Sequence, residues 1–552
     1  MTVGLVIWGD GYRSRWRPLL DLTAPVGAAG PPLAIFKRRF EGIPGVEGPV
    51  VLLPDRVEDA PLVEQARGLG LPVETYPWAE VRSLPWWMCP ERWGMEDDAG
   101  LGSWAGGPLA EVTRRRKWKT LIVVPLTNLL VDRAGLEASL ALHRREGFNV
   151  TLSFDRLLGA NWSIFEAELL QGLQASHPDL MATAGGLVWM LRKPLYSFPI
   201  GEFHAPRDRP RLPADLRLVG RRAWLTLERS QGPDFGRREF DYVGWLHRSG
   251  WEAHWCDQGP RRVVIEPTNR CAARCVGCPQ PVMQRPRGDM AAAAFRQYLE
   301  GLGPSFDGRF VFSGMGEPLA NPALGEMIEA LRGWPTLLCT SLAVPPAESF
   351  PWTALTQVRL SVDAVERQGF EVMRPGCDWV AMEKFTAWAS ERKAAAPDEF
   401  PDLGFSFVKH QRNGAAARAF LQYWEKVGTP LFKSHFFRWP LTDPPDKVQW
   451  AQILGFSDFL GQVPWLGETR FCPVKRRPCL HALQGLHILW DGTVTACPYD
   501  FEGKWPLGHL REQTAAELWA GDRAREFRRR HLALEFPEGS PCGSCQDWYH
   551  RA

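Results

Sequence analysis

Between Arg262 and about Arg438 the chain alternates short runs rich in β-branched and aromatic residues with stretches whose apolar residues recur at helical spacing. VVIEPT, RFVFSG, TLLCTSL, QVRLSVDA, LGFSFVKH and LFKSHFF predict six strands. AAAAFRQYLEGL, NPALGEMIEALRG, WVAMEKFTAWASERKAA and AAARAFLQYWEKVG predict intervening helices. Such alternation calls for a parallel sheet, because each crossover returns the chain to the same end. Six units of this kind make an α/β fold, an open, partial (βα)6 barrel. In barrels, function gathers on the loops leaving the C-terminal ends of the strands.

The first of those loops carries Cys271, Cys275 and Cys278 in EPTNRCAARCVGCPQ, a C-x3-C-x2-C run. Three thiolates on one loop can hold three corners of a cubane iron–sulfur cluster and leave the fourth iron without a protein ligand. An open metal position is a place for chemistry, whereas full ligation suits electron transfer or structure. Structural zinc is the alternative, but it wants a fourth ligand, and His254, the nearest upstream histidine, lies before the predicted strand. With 12 Cys in 552 residues the chain is too sparse in thiols for a disulfide scaffold. Its N-terminus, MTVGLVIWGDGYRSRWRPLL, lacks the features of a signal peptide, so reduced thiols and a cytoplasmic location are expected. The isolated Cys89, Cys256 and Cys339 are expected to pack as small hydrophobes.

The other predicted strand ends are polar. RFVFSGMGEPL ends in Ser313, Gly314, Gly316, Glu317 and Pro318, where small residues would let backbone approach a ligand and a carboxylate stands at the rim. TLLCTSL presents Thr340 and Ser341, QVRLSVDA presents Ser361 and Asp363, and EVMRPG carries Arg374. Each alone is ordinary loop chemistry. Together they ring the cysteine loop with a carboxylate for an ammonium, hydroxyls for a ribose and a guanidinium for a carboxylate.

A second cysteine set follows. LHILWDGTVTAC reads as a hairpin turning at Asp491 and Gly492, with Cys479 before it, Cys497 closing it, and Cys542 and Cys545 in a C-x2-C near the end. Four thiolates satisfy a whole cluster or a zinc ion, and Cys472 is a competing ligand. Asp500, Tyr499 and Cys377 are candidate proton or hydrogen handlers between the two cysteine sets; Asp500 has a turn-stabilising alternative and Cys377 that of a plain loop thiol. A formal net charge of +2 gives no reason to invoke nucleic acid or an acidic membrane surface, and no apolar run approaches the roughly 20 residues of a membrane span. Length implies about three or four domains, and 45% hydrophobic residues suffice for their cores.

On the cysteine loop and GMGEP, residues 262 to 440 resemble the radical S-adenosylmethionine (radical SAM) superfamily. That resemblance implies a 4Fe-4S cluster on Cys271, Cys275 and Cys278 whose open iron is chelated by S-adenosylmethionine, and reductive cleavage to a 5'-deoxyadenosyl radical. It implies Glu317 as partner of the methionine amino group, with Ser361 and Arg374 near its carboxylate or ribose. One position departs: the residue before the third cysteine, usually aromatic, is Gly277. Residues 471 to 549 are similar to a SPASM or shortened twitch domain, through the spacing of Cys479, Gly492 and Cys497 and the phrase LGHLREQTAAELW, which implies one auxiliary 4Fe-4S cluster.

Residues 1 to 258 faintly resemble the nucleotidyltransferase fold through VGLVIWGDGYRSRW, VVLLPD and LIVVPL. Pro31 and Thr127 stand where that family places a lysine and a metal-binding aspartate, so a degenerate domain is implied. The expected division is therefore 1–258, a radical SAM core at 259–440, and a linker plus cysteine-rich domain at 441–552, an order similar to the spiro-SPASM group. The implied substrate is a peptide, a protein side chain or a small metabolite, and the implied reductant is of the flavodoxin or ferredoxin type. The alternative is a non-catalytic iron–sulfur sensor that recognises a ligand through its N-terminal domain.

Overall fold

The computed structural model describes residues 2–9, 21–77, 105–154, 157, 159–182, 187, 199–204, 216–218, 221–303, 306, 308–396, 399–408, 412–416, 419–420, 431–433, 436–438, 450–454, 476, 478–536, 538 and 540–545. The chain divides into two compact units, Met1–Gln258 and Gly259–Ala552. Cys89 and Cys472 lie outside the described residues. Among the described residues no helix is long and apolar enough to cross a membrane.

The first unit is built on seven strands: β1 (Val3–Trp8), β2 (Val46–Pro54), β3 (Val73–Tyr76), β4 (Thr120–Pro125), β5 (Val150–Phe154), β6 (Ser163–Glu166) and β7 (Ile200–His204). Their order is β3-β2-β1-β4-β6-β5-β7, with β6 antiparallel to both neighbours and the other pairs parallel. The three apolar runs read as buried strands from sequence are β1, β2 and β4, the centre of this sheet. All six residues of β1 and of β4 are buried, as expected of strands covered on both faces. Val6, Trp8, Val50, Leu52, Leu121 and Val123 form part of one core. Thr127 follows β4 and donates its hydroxyl to the Asn128 side chain at 3.1 Å, and Pro31 caps the helix Pro32–Phe40.

The second unit carries an eleven-stranded sheet. Its strands are β8 (Arg262–Ile265), β9 (Arg309–Phe312), β10 (Thr336–Thr340), β11 (Gln357–Ser361), β12 (Asp402–Val408), β13 (Leu431–Lys433), β14 (Phe436–Arg438), β15 (Trp450–Leu454), β16 (Gly485–Ile488), β17 (Thr493–Thr495) and β18 (Pro506–His509). The order is β14-β13-β15-β12-β11-β10-β9-β8-β16-β17-β18. From β8 to β12 each strand pairs in parallel with the next in sequence, which follows from right-handed crossovers carried on one face.

One face of this sheet is sealed by helices. Val263, Ile265, Phe310, Phe312, Leu338, Val358, Leu360, Leu403, Phe405 and Phe407 pack with Phe295 of the helix Ala292–Glu300, Met327 and Ile328 of Leu324–Glu329, and Met382 and Ala389 of Trp379–Ala395. The alternation of side chains along a strand sends the intervening residues to the opposite face. On β8, β9 and β11 five of those residues, Arg262, Val264, Arg309, Arg359 and Ser361, are half-buried, while Val311 and Gln357 are buried.

Two sequence expectations change. The sixth strand beside β12 is β15, in the run WAQIL, whereas LFKSHFF supplies β13 and an antiparallel β14 beyond it. A short apolar run does not by itself distinguish one strand from two. The cysteine-rich hairpin, expected as an appended domain, is continuous with the core sheet: β16 pairs in parallel with β8 over Leu486↔Val263 and Ile488↔Ile265, and β17 and β18 follow antiparallel. Leu486 and Ile488 share the core of β8, so apolar burial fixes this register.

Candidate functional site

The strand β8 delivers Glu266 and then the cysteine loop. That loop is pinned from one side by backbone bonds to the segment carrying Arg374, from Arg274 N–H to Pro375 O at 2.7 Å and from Val276 N–H to Met373 O at 3.0 Å. Cys271, Cys275 and Cys278 are all half-buried. Their charges are felt by one another: Cys275 acts on Cys271, and both act on Cys278. Burial pushes the Cys271 thiol up, and pushes Cys278 up to about 11. Cys275 goes the other way, because the Cys377 thiol hydrogen-bonds it and the Arg374 guanidinium stands nearby, against the effect of burial.

Arg374 Nη1 lies 3.6 Å from Cys275 Sγ and Nη2 lies 2.6 Å from Asp363 Oδ2. Burial opposes its charge, but Asp363, Cys275 and Cys377 outweigh burial and raise its pKa. Asp363 also accepts from Val408 N–H at 2.6 Å. The pair expected to meet a ligand independently is thus one buried ion pair at the edge of the cysteine loop.

Glu317 is 2% exposed and fully engaged. Oε1 accepts from Thr340 Oγ1 at 2.6 Å and Leu319 N at 3.2 Å; Oε2 accepts from Ser341 Oγ at 2.8 Å and Ser341 N at 3.0 Å. This corrects the reading of Thr340 and Ser341 as hydroxyls offered to a ribose: their protons orient the Glu317 carboxylate. Gly314 and Gly316 are likewise explained by packing within the protein. A Cβ on Gly316 would stand 2.3 Å from Thr268 O and 2.7 Å from Arg270 O, and one on Gly314 would stand 2.6 Å from Glu266 Cγ. Glycine there lets GMGEP press on the backbone leading into the cysteine loop. Ser313 continues the sheet through its N–H to Ile265 O at 3.0 Å, and Ser361 lies 3.5 Å from the Ser406 hydroxyl.

The sequence reading missed Glu266, Arg285 and Glu502. Glu266, 3% exposed, accepts from Arg285 Nη2 and from Met315 N–H, both near 3 Å, and from Trp490 N–H at 3.4 Å. Burial raises its pKa against the pull of Arg285. Glu502 accepts from Gln284 N–H at 2.7 Å and Arg285 N–H at 3.2 Å. The segment after the cysteine loop is therefore clamped between GMGEP and the C-terminal hairpin. An acid directly before Pro at the end of an apolar strand, with an arginine fifteen to twenty positions on, was the available signal.

Cys479, Cys497, Cys542 and Cys545 line a cavity of about 340 Å3, its open mouth included, together with Arg476, His481, Tyr499, Phe527 and His531. Burial raises Cys479 and Cys497, and pushes Cys542 up to about 11. Arg262, at the foot of β8, reaches this cavity, with Nη2 2.5 Å from His481 Nδ1. Among the described residues no three His, Cys, Asp or Glu side chains meet closely enough to seat a single metal ion. Four thiolates are the full ligand set of a 4Fe-4S cluster.

The three candidate hydrogen handlers fall into different places. Cys377 is 8% exposed, hydrogen-bonds Cys275 and Ser341, and belongs to the first cysteine site, not to the space between the two. Asp500 Oδ1 and Oδ2 accept from Lys504 N and Trp505 N, both at 2.9 Å, which makes it a turn-stabilising carboxylate. Tyr499 stacks edge-on against His481 at 5.7 Å in the second cavity.

Comparison with known proteins returned no match among curated proteins. Among solved structures, BtrN in complex with AdoMet and 2-DOIA is 18% identical with a TM-score of 0.32, covering 53% of this chain and 97% of that one. Streptococcus suis SuiB bound to precursor peptide SuiA is 12% identical with a TM-score of 0.37, covering 69% and 83%. A cytidylyltransferase from Leptospira borgpetersenii serovar Hardjo-bovis is 16% identical with a TM-score of 0.33, covering 45% and 92%. Residues 479–546 match the SPASM family, an iron–sulfur cluster-binding domain, and so place a SPASM-type segment on the four thiols Cys479, Cys497, Cys542 and Cys545.

Proposed function

We propose that this chain is a cytoplasmic radical SAM enzyme with one auxiliary 4Fe-4S cluster, acting on a peptide, a protein side chain or a small metabolite. The observation that carries the reading is three half-buried thiols on one loop at the exit of β8, near enough to feel one another's charge, beside an oriented carboxylate, Glu317, whose charge is felt by Cys271. The parallel run β8 to β12 and β15 is read as the partial barrel, and the first unit as a degenerate nucleotidyltransferase-like domain.

Cys271, Cys275 and Cys278 would hold the first cluster, and the donor set fits, because thiolates are what a cubane requires and no described carboxylate or imidazole competes on the loop. When bound, the reduced cluster and S-adenosylmethionine would supply a 5'-deoxyadenosyl radical, and the auxiliary cluster an electron acceptor. Glu317, set by four donors, would receive the methionine ammonium. Arg374, held by Asp363 beside Cys275, would serve the methionine carboxylate, and Ser361 the carboxylate or ribose. Positioning of this kind matters because a radical that abstracts from unactivated carbon must meet only its intended partner, with water excluded.

Anaerobic reconstitution with iron, sulfide and reductant, followed by assay for 5'-deoxyadenosine, tests the reading. About eight irons per chain are expected, falling to about four when Cys271, Cys275 and Cys278 are all changed to Ala. Fully loaded protein that forms no deoxyadenosine and gives no heat with S-adenosylmethionine would instead be an iron–sulfur binding protein without this activity.

A further inference from the structure

The helix Asp522–Ala533 contributes one face to the second cysteine cavity. Phe527 and His531, four residues apart and so on the same side of that helix, both line the cavity together with Cys479, Cys497, Cys542 and Cys545. The His531 ring lies, centroid to centroid, 4.6 Å from Phe527 and 5.0 Å from Phe536. Two aromatic neighbours fix its place but offer it at most a weak acceptor.

His531 is 2% exposed, yet neither Nδ1 nor Nε2 has a hydrogen-bond partner. Native interiors rarely leave such groups unmet unless a ligand or water answers them. Arg476 in the same wall cannot answer an N–H, because a guanidinium only donates, and it already bonds the carbonyls of Cys542, Gly543 and Cys545. His481, also in that wall, is engaged elsewhere through Nδ1, which lies 2.5 Å from Arg262 Nη2. Sulfur is the acceptor this cavity gathers in number, on four cysteines and, in a cubane, on the sulfides besides.

We propose that His531 donates an imidazole N–H to a sulfur of the auxiliary cluster and so raises the reduction potential of that cluster. The inference deepens the auxiliary-cluster reading of Cys479, Cys497, Cys542 and Cys545, and rests on it. Those cysteines make up the full ligand set, so His531 is a positioning residue that acts through the sulfurs and binds no iron. Reduction adds one negative charge that spreads over the cluster sulfurs, and a hydrogen bond to the more anionic acceptor is the stronger one. The N–H therefore favours arrival of an electron, as an acceptor site requires.

The full chain with Cys271, Cys275 and Cys278 changed to Ala, reconstituted anaerobically, isolates the second site, where about four irons are expected. In redox titration followed by electron paramagnetic resonance, His531→Phe should lower the equilibrium constant for reduction about two- to tenfold, which is about 20–60 mV at about 59 mV per tenfold for one electron. His531→Gln, which keeps an N–H donor, should recover most of that loss. Pulsed resonance on the reduced protein labelled with nitrogen-15 histidine should show weak coupling to a ring nitrogen, and both variants should lose it. A purely structural His531 would move neither readout. Equal potentials in all three proteins, or no nitrogen coupling while His531 is present, overturns the inference and leaves the auxiliary cluster standing on its iron content. Zinc in place of iron at the second site overturns both.

Discussion

The two cysteine sites meet charge differently at one thiol. Both sets of thiols are half-buried; at the first, burial raises Cys271 and Cys278, but the Cys377 thiol and a guanidinium paired with Asp363, 3.6 Å from Cys275, hold that one thiol down. At the second, Cys479, Cys497 and Cys542 are all raised by burial among aromatic and histidine side chains. A site that must admit a ligand from solvent needs an opening and fixed partners for that ligand. A site that only has to hold its metal group can be closed, and its surroundings then govern affinity and potential. The same element, thiolate on a tight loop, is steered to two tasks by what packs around it.

The largest expected effect that would sharpen this contrast is at Asp363. Asp363→Asn leaves the buried guanidinium of Arg374 without its counter-charge, and breaking one side of such a pair costs about 3–5 kcal/mol. Urea unfolding should show the loss, and the double substitution Asp363→Asn with Arg374→Met should recover much of it. If Asp363→Asn is as stable as wild type, the ion pair is not what shapes the first site.

Glu317→Gln comes next. The substitution keeps the shape but turns one carboxylate oxygen into an amide donor facing the Ser341 donors, and removes the charge expected to meet an ammonium. Hydrogen bonds to charged groups are worth about 1.5–3 kcal/mol, so affinity for S-adenosylmethionine by calorimetry should fall about 10- to 100-fold. Unchanged affinity would remove Glu317 from the ligand site and leave it as a cap for the turn Pro318–Ala320.

The second site is probed by pH. His531 is 2% exposed, is flanked by Phe527 and Phe536, has no hydrogen-bond partner on either ring nitrogen, and is lowered to about 4 by burial and then by Arg476. Because its folded pKa lies below the unfolded value, the unfolded chain binds the extra proton. Stability should therefore fall as pH drops from about 6.5 toward about 4, by about 2 kcal/mol at pH 5. The slope of the urea midpoint against pH should flatten in His531→Phe. An unaltered slope would mean the cavity is wetter than its aromatic walls imply.

Both sites were legible in sequence to the extent that local spacing defines them. The C-x3-C-x2-C loop after VVIEPT, GMGEP and the hairpin at Asp491 and Gly492 all depend on neighbours within a few residues. What sequence could not give was pairing across distance. That Ser341 and Thr340 turn to Glu317, that Asp363 holds Arg374, and that β16 joins β8 are consequences of strand order, which a parallel sheet sets only when the whole chain is wound. β15 was missed because WAQIL offers too short an apolar run to separate strand from helix.

The smallest effect belongs to Cys377, and it tests the contrast most directly. A fourth thiol beside Cys275 raises the question whether the first site is closed after all, like the second. A metal-ligating cysteine must be a thiolate. Cys377 is driven the other way, first by its hydrogen bond to Cys275 and then by burial, so it keeps its proton and serves as a donor to a ligand sulfur. Removing one such neutral bond is worth about 1 kcal/mol. Cys377→Ala should therefore cost about that much in stability, leave iron content at about eight per chain, and leave deoxyadenosine formation in place, with at most a small shift in the reduction potential of the first cluster. If iron falls to the level of the triple cysteine variant, the fourth sulfur is a ligand, the first site is as closed as the second, and the opening on which the proposed chemistry depends is not there.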